Sequence, residues 1–600
     1  MLILALTTLS SLISASPLFA RNATLATSPV TAIQPGGKNG STLVNITGVS
    51  FPSFGQDVYL GIPFGQPPIG DLRFTAPKPA VYNATFSATT QPPACIQNPN
   101  NTMYGTYGYS EDCLQLNIYK PSAVTSGDKV PVMVWIYGGS FTSGGISIYN
   151  ASGLVGASVE LGQPVVYVAV QYRLGILGWG NGAEIAMNNA SNLGLRDIKL
   201  GLEWVQQNIQ AFGGDPEQVT IFGQSAGAIA ISLLYLDSTN KGLFRSAVWY
   251  FNDASQSSFR NTQIMESGAQ STTPIGPTAD TWQGPYNALV NATGCNAPSN
   301  LTTNSAAANQ STFECLKALP VQQIANASVA IEAMIQYSGF IFGPSIDGDL
   351  IPASPHALLA QGNFSKIPFI SGNNLDEGTL FVPTSINSSL AIIAFLDVLE
   401  PKAPNLTTTA EILTLYPDNP ALGSPFNTGN QTFGLSPSFK QAAAIIGDNG
   451  FQSKRRWFLE SANQHGLNQT WSYQFEETIP GAGYLGTYHA SEIPYIYGSV
   501  SLAANYTTGD LSLSRAMIEY WLNFVYYTNP NGPNATSTIT PTLQAANATY
   551  WSPYGSSADL NILRLQYGNI SLFKDDYRQT QMDYLNSQPQ QLNLRRRDVV

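Results

Sequence analysis

The stretch "VTIFGQSAGAIAISLLY", residues 219–235, sets one serine between two glycines: Gly223-Gln224-Ser225-Ala226-Gly227. An apolar run precedes it and a run of small, helix-prone residues follows. Strand, Gly-x-Ser-x-Gly, helix is a pattern that holds serine on a strained turn, with Oγ projecting at the carboxyl end of a sheet. The following helix aims its free N–H groups at developing negative charge. A serine hydroxyl becomes a useful nucleophile only when a neighbouring base takes its proton. The five-residue motif alone is a weak signal, because any tight turn that needs small residues reads the same. The strand before it and the helix after it strengthen the catalytic reading.

Outward from that serine the same organisation recurs. "VPVMVWIYGGS" (130–140) and "PVVYVAVQYRLG" (164–175) are apolar strands that run into turns. Between the second of these and the serine lies "LGLRDIKLGLEWVQQNIQAFGG". Its Ile198, Leu202, Val205 and Ile209 keep helical spacing, and Gly213-Gly214 should stop it. Strand, helix, strand in this order predicts right-handed βαβ units and a mainly parallel sheet. "IPFISGNN" (367–374) and "TWSYQFEET" (470–478) read as later strands of one α/β domain, packed from about residue 25 to 585.

The chain has 600 residues, a formal net charge of −11 and 43% hydrophobic residues, a globular composition. The acidic balance opposes binding to nucleic acid or anionic membranes, which need clustered Lys and Arg. Residues 1–20, "MLILALTTLSSLISASPLFA", read as a secretory signal cleaved near Ala20, though without the usual basic start, leaving a domain over 21–600. No later apolar run is long enough to span a bilayer, and "NLRRRDVV" lacks the hydrophobic tail of a lipid anchor. Roughly twenty Asn-x-Ser/Thr sequons, among them Asn45, Asn83, Asn150, Asn291, Asn405 and Asn547, suit a glycosylated, secreted protein. The four cysteines fall in two close pairs, Cys95 with Cys113 and Cys295 with Cys315, which predicts two local disulfides. No CxxC or paired-histidine spacing accompanies them, so no metal site is expected.

A base for Ser225 must come from three histidines. His356, in "IPASPHALLAQGNF", follows a helical pattern and is expected at the surface. His465 lies beside a sequon and should be solvated. His489, in "GYLGTYHASEIPYIYG", sits in a Gly-rich loop after a strand, where a base for Ser225 belongs. A loop histidine is ordinarily just bonded to backbone, but scarcity and the serine argue for His489. The orienting acid should fall between Ser and His in chain order. "ISGNNLDEGTLF" (370–381) offers both Asp376 and Glu377, and local chemistry does not choose between them.

"FGGDPEQVTIFGQSAG", "SEDCLQLNIY", "WIYGGSF", "GNNLDEGT" and "LGTYHASEI" together resemble the signature segments of the type-B carboxylesterase/lipase family. "GIPFGQPPIGDLRFTAPKP" (61–79) resembles its N-terminal segment and "EYWLNFVYYTNPNGPN" (519–534) its C-terminal helix. The resemblance implies an α/β-hydrolase fold, a mostly parallel central sheet flanked by helices. It also implies a triad of Ser225, Glu377 and His489, so Glu377 is preferred over Asp376 on this ground alone. The implied oxyanion donors are the amides of Gly139, Ser140 and Ala226. Ser140 departs from the family's Gly-Gly-Gly-Phe, since this chain reads Gly138-Gly139-Ser140-Phe141. Its Cβ is expected to narrow the cleft and restrict φ. Both cysteine pairs match family disulfides by position.

In lipases of the family the first cysteine pair encloses a long, partly apolar lid. Here the enclosed segment is "IQNPNNTMYGTYGYSED", short, polar and bearing a sequon at Asn100. It lacks the tryptophan with which cholinesterases hold a quaternary ammonium, and Gln224 stands where many relatives carry Glu, so choline esters are disfavoured. The first reading is a secreted serine carboxylesterase for small or medium esters, working through an acyl-enzyme without metal or organic cofactor. A triacylglycerol or sterol-ester lipase is the runner-up, disfavoured by the short polar segment. A non-catalytic adhesion relative is disfavoured by the complete Ser, Glu and His set.

One segment breaks the pattern. The family runs directly from a piece like "GLFRSA" (242–247) into one like "IMESGAQS" (264–271) as a single strand. This chain interposes "VWYFNDASQSSFRNTQ", Val248 to Gln263. Valine codons begin GT and one glutamine codon is CAG, the two ends of an intron, and the length suits a short fungal one. The expectation is a retained intron. A true surface insertion is the alternative, but a strand buried on both faces is a poor place for one. Either "AVWYF" or "TQIMESG" can then fill the strand position. Without the insertion, Ser267 falls where the family keeps a second serine near the active site.

Overall fold

The apolar runs around Ser225 become neighbours in an 11-stranded sheet. The computed structural model describes residues 30–592 apart from 34–42, 83–84, 237–261, 273–274, 276–282, 297–310, 335–341, 400–403, 503–504, 534–538, 556–559 and 590. In chain order the strands are β1 (Val49–Phe51), β2 (Gln56–Pro63), β3 (Gln115–Pro121), β4 (Val130–Ile136) and β5 (Val166–Val170). They continue with β6 (Gly214–Gln224), β7 (Thr262–Glu266), β8 (Phe369–Asn374), β9 (Thr470–Phe475), β10 (Asn561–Leu565) and β11 (Ser571–Lys574). Across the sheet they run β11-β10-β9-β8-β7-β6-β4-β5-β3-β2-β1. Every neighbouring pair from β5 across to β10 is parallel, and the strands outside that block pair antiparallel.

The parallel strands β5, β7, β8 and β9 are buried along their whole length, as continuous apolar or small runs must be when helices cover both faces. Helix α1 (Ser152–Glu160) joins β4 to β5, and α2 (Leu193–Asn208) joins β5 to β6. The expected face of α2, Ile198, Leu202 and Val205, is buried. Its last turn tightens into a 3-10 turn over Ile209–Phe212, and Gly213 ends it in the left-handed conformation, φ 88°, where the glycines were expected to stop it. Helix α3 (Ala226–Leu234) leaves β6 through Ser225, and every one of its residues is buried. Between β8 and β9, α4 (Pro437–Gly447) helps enclose a second, smaller core with Ile392, Ile412 and Phe439, and α5 (Ser453–Gln464) leads back to the sheet. The longest helix, α6 (Thr508–Tyr527), starts at a Thr507–Asp510 capping box.

At the insertion, Thr262–Glu266 is the stretch that fills β7, while residues 248–261, like the expected signal at 1–20, lie outside the described residues. Thr262 Oγ1 lies 2.6 Å from Thr220 Oγ1. Gln263 is 0% exposed, and neither atom of its carboxamide has a hydrogen-bond partner among the described residues. The sequons at Asn45, Asn291, Asn405 and Asn547 are exposed and that at Asn150 is half-buried, while Asn83 lies outside the described residues.

Candidate active site

β6 ends at Gln224, α3 begins at Ala226, and Ser225 between them has φ 55° and ψ −125°. Such a conformation costs a non-glycine residue on the order of 1–3 kcal/mol and persists only where its surroundings impose it. Here they do: the Ser225 N–H donates to the Glu266 carbonyl at 2.9 Å, and Ile229 N–H donates to the Ser225 carbonyl at 2.9 Å. A Cβ on Gly227 would lie 2.0 Å from the Ile136 carbonyl oxygen, so α3 can cross the end of β4 only with glycine there. Ser225 itself remains partly exposed.

The loops after β8 and β9 meet beside that turn. His489 Nδ1 lies 2.6 Å from Glu377 Oε2, and both residues are buried, 4% and 1% exposed. Glu377 Oε1 accepts the Asn374 N–H at 2.7 Å. The imidazole packs against the stacked pair Phe381 and Phe451, with ring centroids 5.0 and 4.9 Å away. Asp376, the other acid the sequence offered, turns elsewhere. Its carboxylate accepts from Ser424 Oγ at 2.8 Å, Phe426 N–H at 2.8 Å and Thr487 N–H at 2.9 Å. Burial pushes it up to about 6 against the pull of those hydrogen bonds. Asp376 thus fastens the chain that leads into His489, and Glu377 takes the ring.

On the opposite edge, His489 Nε2 lies 3.1 Å from the Gln224 carboxamide nitrogen. An amide nitrogen can only donate, so Nε2 accepts and the ring proton sits on Nδ1, facing Glu377. That is the neutral tautomer a general base requires. A direct hydrogen bond from Ser225 Oγ to His489 is not formed among the described residues.

Three consecutive residues after β4 have positive φ: Gly139 at 115°, Ser140 at 55° and Phe141 at 62°. A Cβ on Gly139 would lie 2.1 Å from the Ser143 carbonyl oxygen. The Gly139 carbonyl accepts the N–H groups of Thr142 and Ser143, and Gly175 N–H donates to the Phe141 carbonyl at 2.7 Å. The N–H groups of Gly139, Ser140 and Ala226 have no acceptor among the described residues. Successive N–H groups left free by left-handed backbone form a concavity suited to an anion.

Of the other two histidines, His356 sits on a short helix, Pro355–Ala360, packed against α5, and His465 follows the C-terminus of α5. His356 stacks on Trp457, centroids 4.6 Å apart, and is half-buried rather than at the surface as its helical pattern suggested. His465 is exposed, with Nε2 3.1 Å from the Ala360 carbonyl oxygen. Sequence reasoning missed two buried acids. Glu492 Oε2 accepts from Asn374 Nδ2, and burial plus the Glu377 charge push Glu492 up to about 7. Glu266 accepts from Trp521 Nε1 at 2.9 Å, and burial, then the Glu492 charge, hold it well above the usual carboxylate range. The position of Glu492 three residues after His489 was a usable signal; nothing local marked Glu266.

Both expected disulfides, Cys95–Cys113 and Cys295–Cys315, are formed. Among the described residues no group of His, Cys, Asp and Glu could hold a metal ion, and no helix is long and apolar enough to cross a membrane.

The strand order, with the Ser225 turn at the carboxyl end of β6, is that of an α/β hydrolase. Within that fold the chain belongs to the carboxylesterase family, whose sequence model matches residues 44–585. It is 35% identical over 565 residues to "Secreted lipase 1" of Botryotinia fuckeliana, covering 88% of this chain and 89% of that one. It is 32% identical over 559 residues to "Secreted triacylglycerol lipase LIP1" of Gibberella zeae, covering 88% and 87%. Among solved structures it is similar to EstA of Aspergillus niger, with a TM-score of 0.75 and 26% identity over 94% of this chain and 99% of that chain.

Proposed function

We propose that the protein is a secreted serine carboxylic ester hydrolase that works through Ser225, His489 and Glu377. The observation that carries this reading is the 2.6 Å bond from His489 Nδ1 to Glu377, which leaves Nε2 unprotonated beside the Ser225 turn. Ser225 Oγ attacks the ester carbonyl as His489 Nε2 takes its proton, and Glu377 stabilises the imidazolium. The amides of Gly139, Ser140 and Ala226 receive the oxyanion; one such donor is commonly worth about 3–4 kcal/mol. His489 then protonates the departing alcohol, and the acyl-enzyme is hydrolysed by a water that His489 activates. For the proton to pass, the Gln224 carboxamide yields Nε2 to Ser225 as substrate arrives. Catalytic hydrogen bonds often tighten only in the substrate complex.

The chain-length preference rests on the segment between Cys95 and Cys113, whose exposed residues are mostly polar, Asn100, Thr102 and Thr106 among them, with Tyr107 its exposed aromatic, a poor face for a lipid surface. It supports an esterase for small and medium esters. A lipase is the second reading, favoured by the names of the fungal relatives. The experiment is a nitrophenyl ester series from acetate to palmitate. We expect kcat/KM to peak at short or medium chains, and a maximum on palmitate would establish the lipase instead. The two disulfides and the word "Secreted" in the relatives' names support an extracellular location.

A further inference from the structure

We propose that the loop closed by Cys95 and Cys113 is a fixed wall latched to the oxyanion-hole loop, and that Gln97 is the latch and a positioning residue for hydrolysis. The inference rests on the ester hydrolase reading and deepens it. Gln97 is 7% exposed and holds both backbone groups of one residue, Gly144. Its Nε2 donates to the Gly144 carbonyl at 2.7 Å, and its Oε1 accepts the Gly144 N–H at 3.0 Å. The same Nε2 also lies 3.1 Å from the Cys95 carbonyl oxygen, tying the latch to the root of its own loop.

What Gly144 controls lies one residue upstream. The Ser143 N–H and the Thr142 N–H donate to the Gly139 carbonyl at 3.0 and 3.1 Å, and Ser143 Oγ reaches the same oxygen at 3.2 Å. The Gly139 carbonyl and the Ser140 N–H belong to one planar trans peptide and point in opposite directions. Holding the carbonyl toward Ser143 therefore turns the Ser140 N–H outward, to where the oxyanion forms. Left-handed residues such as Ser140 and Phe141 are costly and need external constraint. Gln97 supplies part of it through Gly144 and Ser143.

Both stems of the wall are tied down as well. Gln171 Nε2, directly after β5, donates to the carbonyls of Pro93 and Cys113 at 3.0 Å each, so one carboxamide closes both stems. Glu111 near the second stem is held by Arg73 in a two-point pair at 2.6 and 2.7 Å, both side chains nearly buried. A segment whose stems are fastened by a disulfide, two buried glutamines and a buried ion pair, and whose Tyr109 and Ser110 pair with Ala94 and Cys95, is built to stay shut. An enzyme so built acts on single dissolved ester molecules and gains nothing from an aggregated substrate surface.

The test uses the full-length protein with nitrophenyl butyrate and tributyrin. Wild type is first titrated with an organophosphonate ester; if Ser225 does not label, the hydrolase reading fails and takes this inference with it. With labelling established, the rate against tributyrin concentration should pass the solubility limit with less than about a twofold jump. A steep rise there would overturn the fixed wall while leaving the hydrolase intact. Gln97→Met keeps the volume and removes the three hydrogen bonds. It should lower kcat on the soluble ester about 10- to 100-fold, the cost of a displaced donor, with KM changed less than about threefold. Binding of a trifluoromethyl ketone, which mimics the tetrahedral state, should weaken in proportion to kcat. The melting temperature shows that the variant is folded. A folded Gln97→Met enzyme with wild-type kcat would overturn the latch, and Gln97→Ala provides the same reading if the methionine variant fails to fold.

Discussion

Glu377 and His489, 112 residues apart in sequence, face each other across a 2.6 Å hydrogen bond sealed from solvent. The neighbouring Asp376 uses its own carboxylate to hold Thr487 and the 424–426 turn. Two adjacent acids thus have separate tasks, and substitution should separate them. Glu377→Gln keeps the shape but can present an amide N–H to Nδ1, favouring the wrong tautomer, and should lower kcat by roughly 10³–10⁴. Asp376→Asn should lower the melting temperature and change kcat by no more than about tenfold. Equal losses of kcat in two folded variants would show that Asp376 also serves the ring.

Ser140 holds φ at 55° where a glycine would rest without strain. Ser140→Gly removes Cβ from the mouth of the proposed oxyanion hole and keeps the N–H donor. We expect activity toward bulkier esters to rise relative to acetate, with stability gained by up to about 1 kcal/mol from relief of the left-handed strain. A ratio of bulky to small ester turnover that stays constant or falls would show that Ser140 does not limit access.

Buried acids give the protein a pH-dependent stability of a definite sign. Glu492 is raised from 4.5 to about 7 in the folded state, by burial first and by the Glu377 charge next. The folded chain therefore binds more protons than the unfolded one between about pH 4 and 7, and stability falls as pH rises through that window. The shift corresponds to about 3 kcal/mol if it is fully expressed. Asp376, raised to about 6 by burial, acts in the same direction. Denaturation midpoints should be higher at pH 5 than at pH 8, and Glu492→Gln, which keeps an acceptor for Asn374, should flatten the slope. A wild-type midpoint that rises steadily from pH 5 to 8 would contradict this account.

Gln263 bears on the insertion. Joining Ala247 directly to Ile264 would put Ser246 and Ala247 at the β7 positions now held by Thr262 and Gln263. Serine keeps a hydroxyl for Thr220, and alanine removes a buried carboxamide that lacks partners among the described residues. Such a group costs on the order of 1–3 kcal/mol. We propose that Val248–Gln263 are encoded by an unspliced intron. Protein expressed without these residues should melt higher and retain activity. A transcript that encodes them in secreted, active enzyme would end the idea.

Much of this was legible in the sequence where a backbone demand is local. Ser225 and Gly227 reveal the turn, because only small residues fit over Ile136. Gly138-Gly139-Ser140-Phe141 was picked out only by family resemblance, and the positive φ of all of Gly139, Ser140 and Phe141 emerged from the structure. Glu377 was separable from Asp376 only by family resemblance, since both acids occupy one loop and differ in a contact made across 112 residues. Gln97, Glu266 and Glu492 were not foreseen, because Gly144, Trp521 and Asn374, which they hold, are far from them in sequence. The half-buried position of His356 was missed for a similar reason: Trp457, which it stacks on, lies on another helix.

The central claim is that Ser225 is the nucleophile of an ester hydrolase. The most direct measurement is mass spectrometry of the protein after inactivation by an organophosphonate ester, paired with active-site titration. The account predicts one adduct per chain, on Ser225, with esterase activity lost in proportion, and no adduct or turnover in a folded Ser225→Ala variant. An adduct on another residue, or undiminished hydrolysis by Ser225→Ala, would contradict it.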